Sequence, residues 1–190
     1  MRNDLYSIGV LILVIWLVFL VDAAIPAKLT DWGLLPRTLG GLVGIPLMPL
    51  LHGSLGHIFG NTLSLVVLLV LLSGSKANNW SIVVGIVVVN GLLLWLFGRS
   101  AVHVGASGLI FGLIAFLIVS GVMEKRLVPL AISLLVGALY GGTLVLGVIP
   151  QWGSDVSWDG HLCGAISGAA IAYVLNANSK SDGAFLTGSS

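Results

Sequence analysis

The sequence is poor in charged residues. Only 8% of its 190 residues are charged, eight Lys or Arg and seven Asp or Glu, whereas soluble domains carry about 25%. This low charge, in a chain so rich in apolar residues, excludes an ordinary water-soluble globule and a disordered chain. The net charge of +1 offers no stripe of basic residues for phosphate groups, which excludes a nucleic-acid-binding protein.

Cysteine is nearly absent as well. Cys163 is the single cysteine, which excludes a disulfide framework and a cysteine-based zinc cluster. The chain is rich instead in apolar residues, which make up 57% of it, and in glycine, with 26 residues. This composition indicates an all-α polytopic membrane protein whose helices pack closely through glycine.

Six segments are apolar and long enough to cross a membrane, which takes about 20 residues per helix. The sequence predicts one six-helix domain over residues 1–176 and a polar, disordered tail over 177–190, where no apolar run remains. A cleaved secretory signal is the alternative for the first segment, although its apolar run is long for a signal. The predicted spans are about 5–21, 55–72, 81–97, 105–123, 127–149 and 160–175.

Two connections are longer than simple turns. The first, about residues 23–51, has four prolines among apolar residues, so we expect a loop that lies in the membrane interface. The second, residues 150–159, carries Trp152 and Trp158, which are typical membrane anchors. Its Asp155 and Asp159 are interpreted as solvated loop residues rather than as members of a catalytic triad.

An even number of spans puts both termini on one side of the membrane. That side carries five Lys or Arg residues against three on the other, which favours cytoplasmic termini. Spans two, four and six then begin at the outer face. Because polar groups are costly in a bilayer, the cluster at these three starts indicates a functional site there. It consists of His52, His57, Asn61, His103, Ser107 and His161.

The spacings within this cluster suggest chemistry. His57 and Asn61, four residues apart, lie on one helix face and can donate to one oxygen atom, although an interhelical hydrogen-bonding pair explains them equally well. Ser107 lies in a Gly-Ala-Ser-Gly string where span four begins. Unpaired backbone N–H groups and the helix dipole suit an anionic intermediate there. Helix packing is the alternative explanation for such a string.

His161 is followed by Gly164 and Gly168 on the same helix face, and span four offers Gly108 and Gly112 as partners. Two such faces can pack at the short distance of GxxxG helix pairs, which would bring the imidazole within reach of Ser107. Histidine is the usual base for a serine nucleophile. The spacing therefore permits a Ser–His dyad without a third, carboxylate member.

These motifs together resemble the rhomboid intramembrane serine proteases over about residues 34–175. The resemblance implies a minimal, six-helix bacterial form with Ser107 as nucleophile and His161 as general base and acid. His57 and Asn61 would join the Ser107 N–H in stabilising the oxyanion. The matching residues are Gly105-Ala106-Ser107-Gly108 with Gly112, then His52, His57 and Asn61, and finally His161 with Gly164 and Gly168.

Three further features follow from the resemblance. The first connection would be the family's membrane-embedded loop, and residues 150–158 its flexible cap over the active site. Phe111 stands where some members have a tyrosine that stacks on the catalytic histidine. Several members carry a Trp-Arg pair in the first loop, where this chain has Val43-Gly44-Ile45, so the family's anchoring of this loop does not carry over to this chain.

The expected function is hydrolysis of transmembrane segments of single-pass or multi-pass membrane proteins within the bacterial inner membrane. No cofactor, metal or nucleic acid is expected. One alternative is a small transporter or channel with a His/Asn relay, which would predict carboxylates inside the spans. The other is a non-catalytic protein that binds client helices, which would not need both Ser107 and His161. His52 has no assigned role, His103 is interpreted as interfacial, and Asn90 as a helix-packing residue.

Overall fold

The computed structural model describes residues 2–75, 79–151 and 156–187, and the side chains among them up to residue 178. Six helices in these ranges are long and apolar enough to cross a membrane, which confirms the predicted all-α, six-span architecture. They are α1 (Arg2–Ala24), α2 (Leu55–Ser75), α3 (Asn79–Phe97), α4 (Ser107–Glu124), α5 (Leu127–Gly147) and α6 (Trp158–Thr187).

Helix α4 lies at the centre of the bundle. Within the span windows, 67% of the α4 residues are buried by the protein, whereas only 11% are buried in α1 and in α5. A Cβ atom on Gly164 or Gly168 would overlap the carbonyl oxygen of Gly108 or Gly112. The two glycine faces are therefore in backbone contact, and this contact sets α6 directly against α4.

The first connection consists of short helical turns rather than an open loop. They are Leu29–Trp32, Gly40–Leu42, Gly44–Leu47 and Met48–Leu50. Arg37 donates to the Gly98 carbonyl at 2.7 Å and to Ser100 Oγ at 2.8 Å, and Trp95 Nε1 donates to the Thr38 carbonyl at 2.7 Å. The loop is thus anchored to the end of α3 by an arginine and a tryptophan outside Val43-Gly44-Ile45.

Helix α6 differs from the sequence prediction at its far end. It continues to Thr187, where a disordered tail was predicted from residue 177. No proline follows Pro150 in the chain, and extending an existing helix costs far less than starting one. Polarity alone was therefore a poor indicator of where this helix ends. Residues 188–190 and the predicted cap residues Trp152 and Asp155 lie outside the described residues.

Candidate active site

Ser107 is the first residue of α4 and is half-buried. The backbone that leads to Ser107 turns at Gly105, whose φ of +108° is strained for other residues. A Cβ atom there would also lie 2.5 Å from His57 Nε2 and 3.4 Å from Asn61 Nδ2. Glycine at this position therefore lets the backbone leading to Ser107 pass directly beside the two polar side chains of α2.

His161 lies in the first turn of α6 and is held from two sides. Its Nδ1 is 2.9 Å from the carbonyl oxygen of Gly147, the last residue of α5. Its ring stacks on Phe111 with centroids 4.1 Å apart and an interplanar angle of 5°. Because a carbonyl only accepts, this bond assigns the proton to Nδ1 and leaves Nε2 as the basic nitrogen.

Phe111, which stacks on His161, belongs to the same helix as Ser107. Phe111 lies one helical turn after Ser107 on α4, and its predicted contact with the histidine is present in the structure. Gly164, one turn after His161, touches the Gly108 backbone next to the serine. The two groups thus lie at one end of one helix pair. In the described part of the chain, the Ser107 hydroxyl makes no side-chain hydrogen bond to the imidazole.

His52, which had no assigned role, contacts the candidate oxyanion site. It is 2% exposed, and its Nε2 lies 2.9 Å from Asn61 Nδ2, while Nδ1 lies 3.4 Å from the Leu50 carbonyl. Burial, and secondarily the nearby His57, lower the pKa of His52 from 6.5 to about 4. The neutral ring accepts from the Asn61 amide at pH 7 and thereby orients it. Since His52 precedes α2, helical periodicity could not reveal this pairing.

One interpretation from the sequence is wrong. Asp159 is 6% exposed, so it is not a solvated loop residue, and His103, interpreted as interfacial, is 3% exposed within the protein. Asp159 is buried because the backbone N–H of Arg99 and the Arg99 guanidinium both donate to its carboxylate, at 2.8 and 3.2 Å. His103 is buried between Arg99 and Ser157. The partners are far away in sequence, which concealed the cluster.

Asn90 packs as the sequence predicted. Its side chain is 1% exposed and lies against Gly108, at the point where α3, α4 and α6 meet. Neither of its amide atoms has a hydrogen-bond partner in the described part of the chain. Asn90 therefore packs between the helices without a hydrogen bond that ties it to either of them.

Fold and site together define a polytopic membrane protein with a polar site of serine, histidine and asparagine enclosed by its helices. Comparison with known families identifies the class of membrane protein. The model of the rhomboid domain matches residues 39–178, and the chain belongs to the rhomboid family, whose members are intramembrane serine proteases.

Mycobacterial proteins are among its relatives. The chain is 39% identical over 173 residues to the uncharacterized protein Rv1337 of Mycobacterium tuberculosis, an alignment that covers 86% of this chain and 71% of that protein. It is also 39% identical over 173 residues to the uncharacterized protein ML1171 of Mycobacterium leprae, with 86% and 68% covered. Both alignments extend over most of the six-helix region.

Proposed function

We propose that this protein is an intramembrane serine endopeptidase that cleaves transmembrane segments of other membrane proteins. The observation that carries the proposal is the fixed tautomer of His161, with Nδ1 on the Gly147 carbonyl and the ring on Phe111. This arrangement presents a basic Nε2 at the end of the bundle where α4 begins with Ser107. A backbone carbonyl thus does for the ring what a carboxylate does in a catalytic triad.

The reaction would proceed in two steps. Ser107 Oγ attacks the carbonyl carbon while His161 Nε2 takes the hydroxyl proton, and the same nitrogen then protonates the leaving amine. The product is an ester between Ser107 and the acyl half of the substrate, with the peptide C–N bond broken. Water, activated by the same imidazole, hydrolyses this ester and releases the serine.

The oxyanion formed in each step would lie between α2 and the start of α4. The Ser107 N–H is a first-turn donor without a partner in its own helix. Asn61 has two amide hydrogens, of which His52 accepts one, so the second is available for the substrate. His57, beside Gly105, is the third donor. Donors held in place before the reaction cost no reorganisation when charge develops.

The substrate would be a helix that unwinds locally at the site. Peptide bonds in a transmembrane helix are hydrogen-bonded and shielded, so helix-weakening Gly or Pro and a small residue at the cleavage point favour cleavage. We place the site at the outer face of the cell membrane, with both termini in the cytoplasm, on the distribution of Lys and Arg.

A transporter or channel receives less support. Within the six candidate spans, the last of which is Trp158–Asn178, the carboxylates Asp4, Asp22, Glu124 and Asp159 all lie in the first or last turn of their helices. A proton or ion relay through the membrane needs titratable groups at mid-span, and none of the carboxylates in the described ranges is placed there.

A covalent serine probe tests the proposal. Detergent-purified protein should be labelled by a fluorophosphonate, and the labelling should vanish in Ser107→Ala and in His161→Ala. Ser81→Ala, which removes an exposed hydroxyl in the first turn of α3, should label like the wild type. Labelling that persists in Ser107→Ala would contradict the mechanism, and labelling that persists in His161→Ala would remove the histidine from it.

A further inference from the structure

A second buried polar cluster lies outside the serine, histidine and asparagine residues already described. It consists of Arg99, His103 and Asp159. Arg99 and His103 belong to the connection between α3 and α4, which leads to Ser107, whereas Asp159 lies in the first turn of α6, two residues before His161. The cluster therefore joins the two elements that carry the proposed nucleophile and its base.

Arg99 holds the start of α6 through several bonds. Its backbone N–H donates to Asp159 Oδ2 at 2.8 Å, and its Nη2 donates to Asp159 Oδ1 at 3.2 Å. The same Nη2 donates to the Val156 carbonyl at 2.9 Å, and the guanidinium carbon lies 5.4 Å from the centre of the Trp158 ring. The arginine thus binds the residues just before the helix and its first turn together.

His103 joins the cluster to the first connection. Its Nε2 lies 3.2 Å from the Arg99 carbonyl and 3.7 Å from Asp159 Oδ2, and its Nδ1 lies 2.7 Å from Ser157 Oγ. Its backbone exchanges two hydrogen bonds with Leu34, of 2.9 and 3.0 Å. The first connection, the connection before Ser107 and the start of α6 therefore meet at this one histidine.

Net stability does not explain such a cluster. The Asp159 side chain is 8% exposed and that of Arg99 is 35% exposed, and an ion pair that is partly or fully buried commonly stabilises a fold no better than apolar residues of the same size. Its directional bonds do fix relative position. Since one residue adds about 1.5 Å along a helix, Asp159 lies only about 3 Å along the axis from His161. An error of about 1 Å in a reacting group can slow catalysis about 100-fold.

We propose that Arg99, His103 and Asp159 are positioning residues that fix the start of α6 against the connection leading to Ser107. They act through His161 and Ser107 and touch neither the substrate nor the reacting atoms. The inference rests on the proposed function for its catalytic consequence. Its structural half, the fixed position of the first turn of α6, is measurable without any catalysis.

Cys163 is a native reporter of that position. It is the single cysteine of the chain, lies one turn after Asp159, and is 8% exposed. In detergent-purified protein, N-ethylmaleimide should modify it at least tenfold faster in Asp159→Asn and in Arg99→Met than in the wild type. Arg99→Lys keeps the charge and should show a smaller increase, which provides a readout if the stronger variants fold poorly.

Asn176→Ala is the matched control. It removes buried polar contacts from the same helix, including a 3.2 Å hydrogen bond to Ser120, at the opposite end of the span. We expect its Cys163 rate within twofold of the wild type even where its melting temperature falls as far as in Asp159→Asn. Equal acceleration in Asn176→Ala would show general loosening and would overturn the inference.

The rate at which Ser107 is labelled tests the catalytic part of the inference. Fluorophosphonate labelling should be 10- to 100-fold slower in Asp159→Asn and Arg99→Met, and the double variant should be little slower than the worse single variant because both variants break the same Arg99–Asp159 ion pair. With a transmembrane substrate and rates normalised to the folded protein in each sample, kcat should fall in Asp159→Asn and Arg99→Met, whereas Asn176→Ala should keep the wild-type kcat on the same normalisation.

The outcomes separate the two proposals. Cys163 rates in Asp159→Asn, Arg99→Met and Arg99→Lys that all stay within twofold of wild type overturn the positioning inference, whether or not the protein is a protease. Unlabelled Ser107 in the wild type contradicts the proposed function, and the Cys163 rates still decide whether the cluster fixes α6. Fast Cys163 modification with unchanged Ser107 labelling would overturn the catalytic half of the inference.

Discussion

Three histidines at the Ser107 end of the bundle each have a different set of partners. The Nδ1 atom of His161 faces a carbonyl, the Nε2 atom of His52 faces an amide, and His103 lies between a carbonyl and a hydroxyl. These partners, rather than the imidazole itself, decide which nitrogen is basic. In the proposed mechanism, one residue type therefore serves as a base, as an orienting acceptor and as an anchor.

At the scale of single residues, Asn61→Ala should reduce kcat about 100-fold and leave KM nearly unchanged. Loss of one oxyanion donor costs about 3 kcal/mol of transition-state stabilisation, and about 1.4 kcal/mol is a tenfold change in rate. Cleavage of a transmembrane peptide in detergent is the measurement. Thr62→Ala removes the neighbouring polar side chain, which binds Trp16 on another face of α2, and should keep the wild-type kcat. A kcat within threefold of wild type in Asn61→Ala would remove this residue from the oxyanion site.

His52 should make stability depend on pH. Its pKa is about 4 in the folded protein against 6.5 in the unfolded chain, chiefly because of burial. Between these values the unfolded state binds more protons, so the free energy of unfolding is highest above pH 6.5 and falls as the pH drops towards 4. The loss from this residue is about 3 kcal/mol.

Unfolding in mixed detergent micelles at pH 7.5 and 4.5 measures this dependence. His52→Gln removes the titrating group while keeping polar atoms at the same position, so the loss of stability between the two pH values should shrink by most of that amount. An identical pH dependence in the variant and the wild type would show that His52 takes up its proton without unfolding.

Only part of this site was predictable from the sequence. Helix direction alone predicts that residues near the starts of α2, α4 and α6 meet at one end. Spacing cannot reveal pairs such as Arg99 with Asp159, 60 residues apart, or His103 with Ser157, 54 residues apart. Those bonds depend on how the bundle is assembled, and a charged loop residue is otherwise solvated far more often than buried.

At the scale of helices, the α4–α6 contact determines which residues meet. The close approach at Gly164 and Gly168 leaves no room for a methyl group, because the carbonyl oxygens of Gly108 and Gly112 occupy that space. Helix association in a membrane relies on such van der Waals contact between small residues. The same contact brings the first turn of α6, which carries His161, beside the first turn of α4, which carries Ser107.

Gly168→Val should destabilise the protein by several kcal/mol and reduce its melting temperature, because the added atoms force α6 away from backbone that has no freedom to move. Gly141→Ala on α5 is the matched control, since a Cβ atom there meets nothing within 4 Å and alanine favours helix by about 1 kcal/mol. Thermal unfolding of both variants in one detergent measures the difference. Equal melting temperatures for Gly168→Val and the wild type would mean that the helices do not meet at these glycines.

The apolar runs of the sequence predict where the helices lie, but they predict the helix ends less well. The predicted spans 55–72 and 105–123 correspond to Leu55–Ser75 and Ser107–Glu124, because long apolar runs have few other structures available in a bilayer. The continuation of α6 to Thr187 was missed because polarity shows where a span leaves the hydrocarbon, and a helix need not end at that point.

At the scale of the whole molecule, the bundle encloses α4 and leaves α1 and α5 mostly open. The exposed faces of these two helices are apolar, with Leu13, Leu17, Leu134 and Leu139 more than half exposed, as lipid-facing positions are. The first connection is tied to the end of α3 through Arg37, so both the approach to Ser107 and the start of α6 are braced by loops. The serine, histidine and asparagine residues of the candidate site are thus gathered at one end of a molecule whose sides are suited to lipid.

The candidate active site is predicted to face the outer side of the membrane. The distribution of Lys and Arg, five against three, favours a cytoplasmic turn between α4 and α5 and an outer connection between α3 and α4. In a Cys163→Ser background, Ala101→Cys should react with a membrane-impermeant maleimide on intact spheroplasts. Leu127 is 88% exposed, and replacing it leaves all charges in place. Leu127→Cys should react only after the membrane is opened. The reverse pattern would place the candidate active site at the cytoplasmic face and would require substrates to present their cleavage sites from that side.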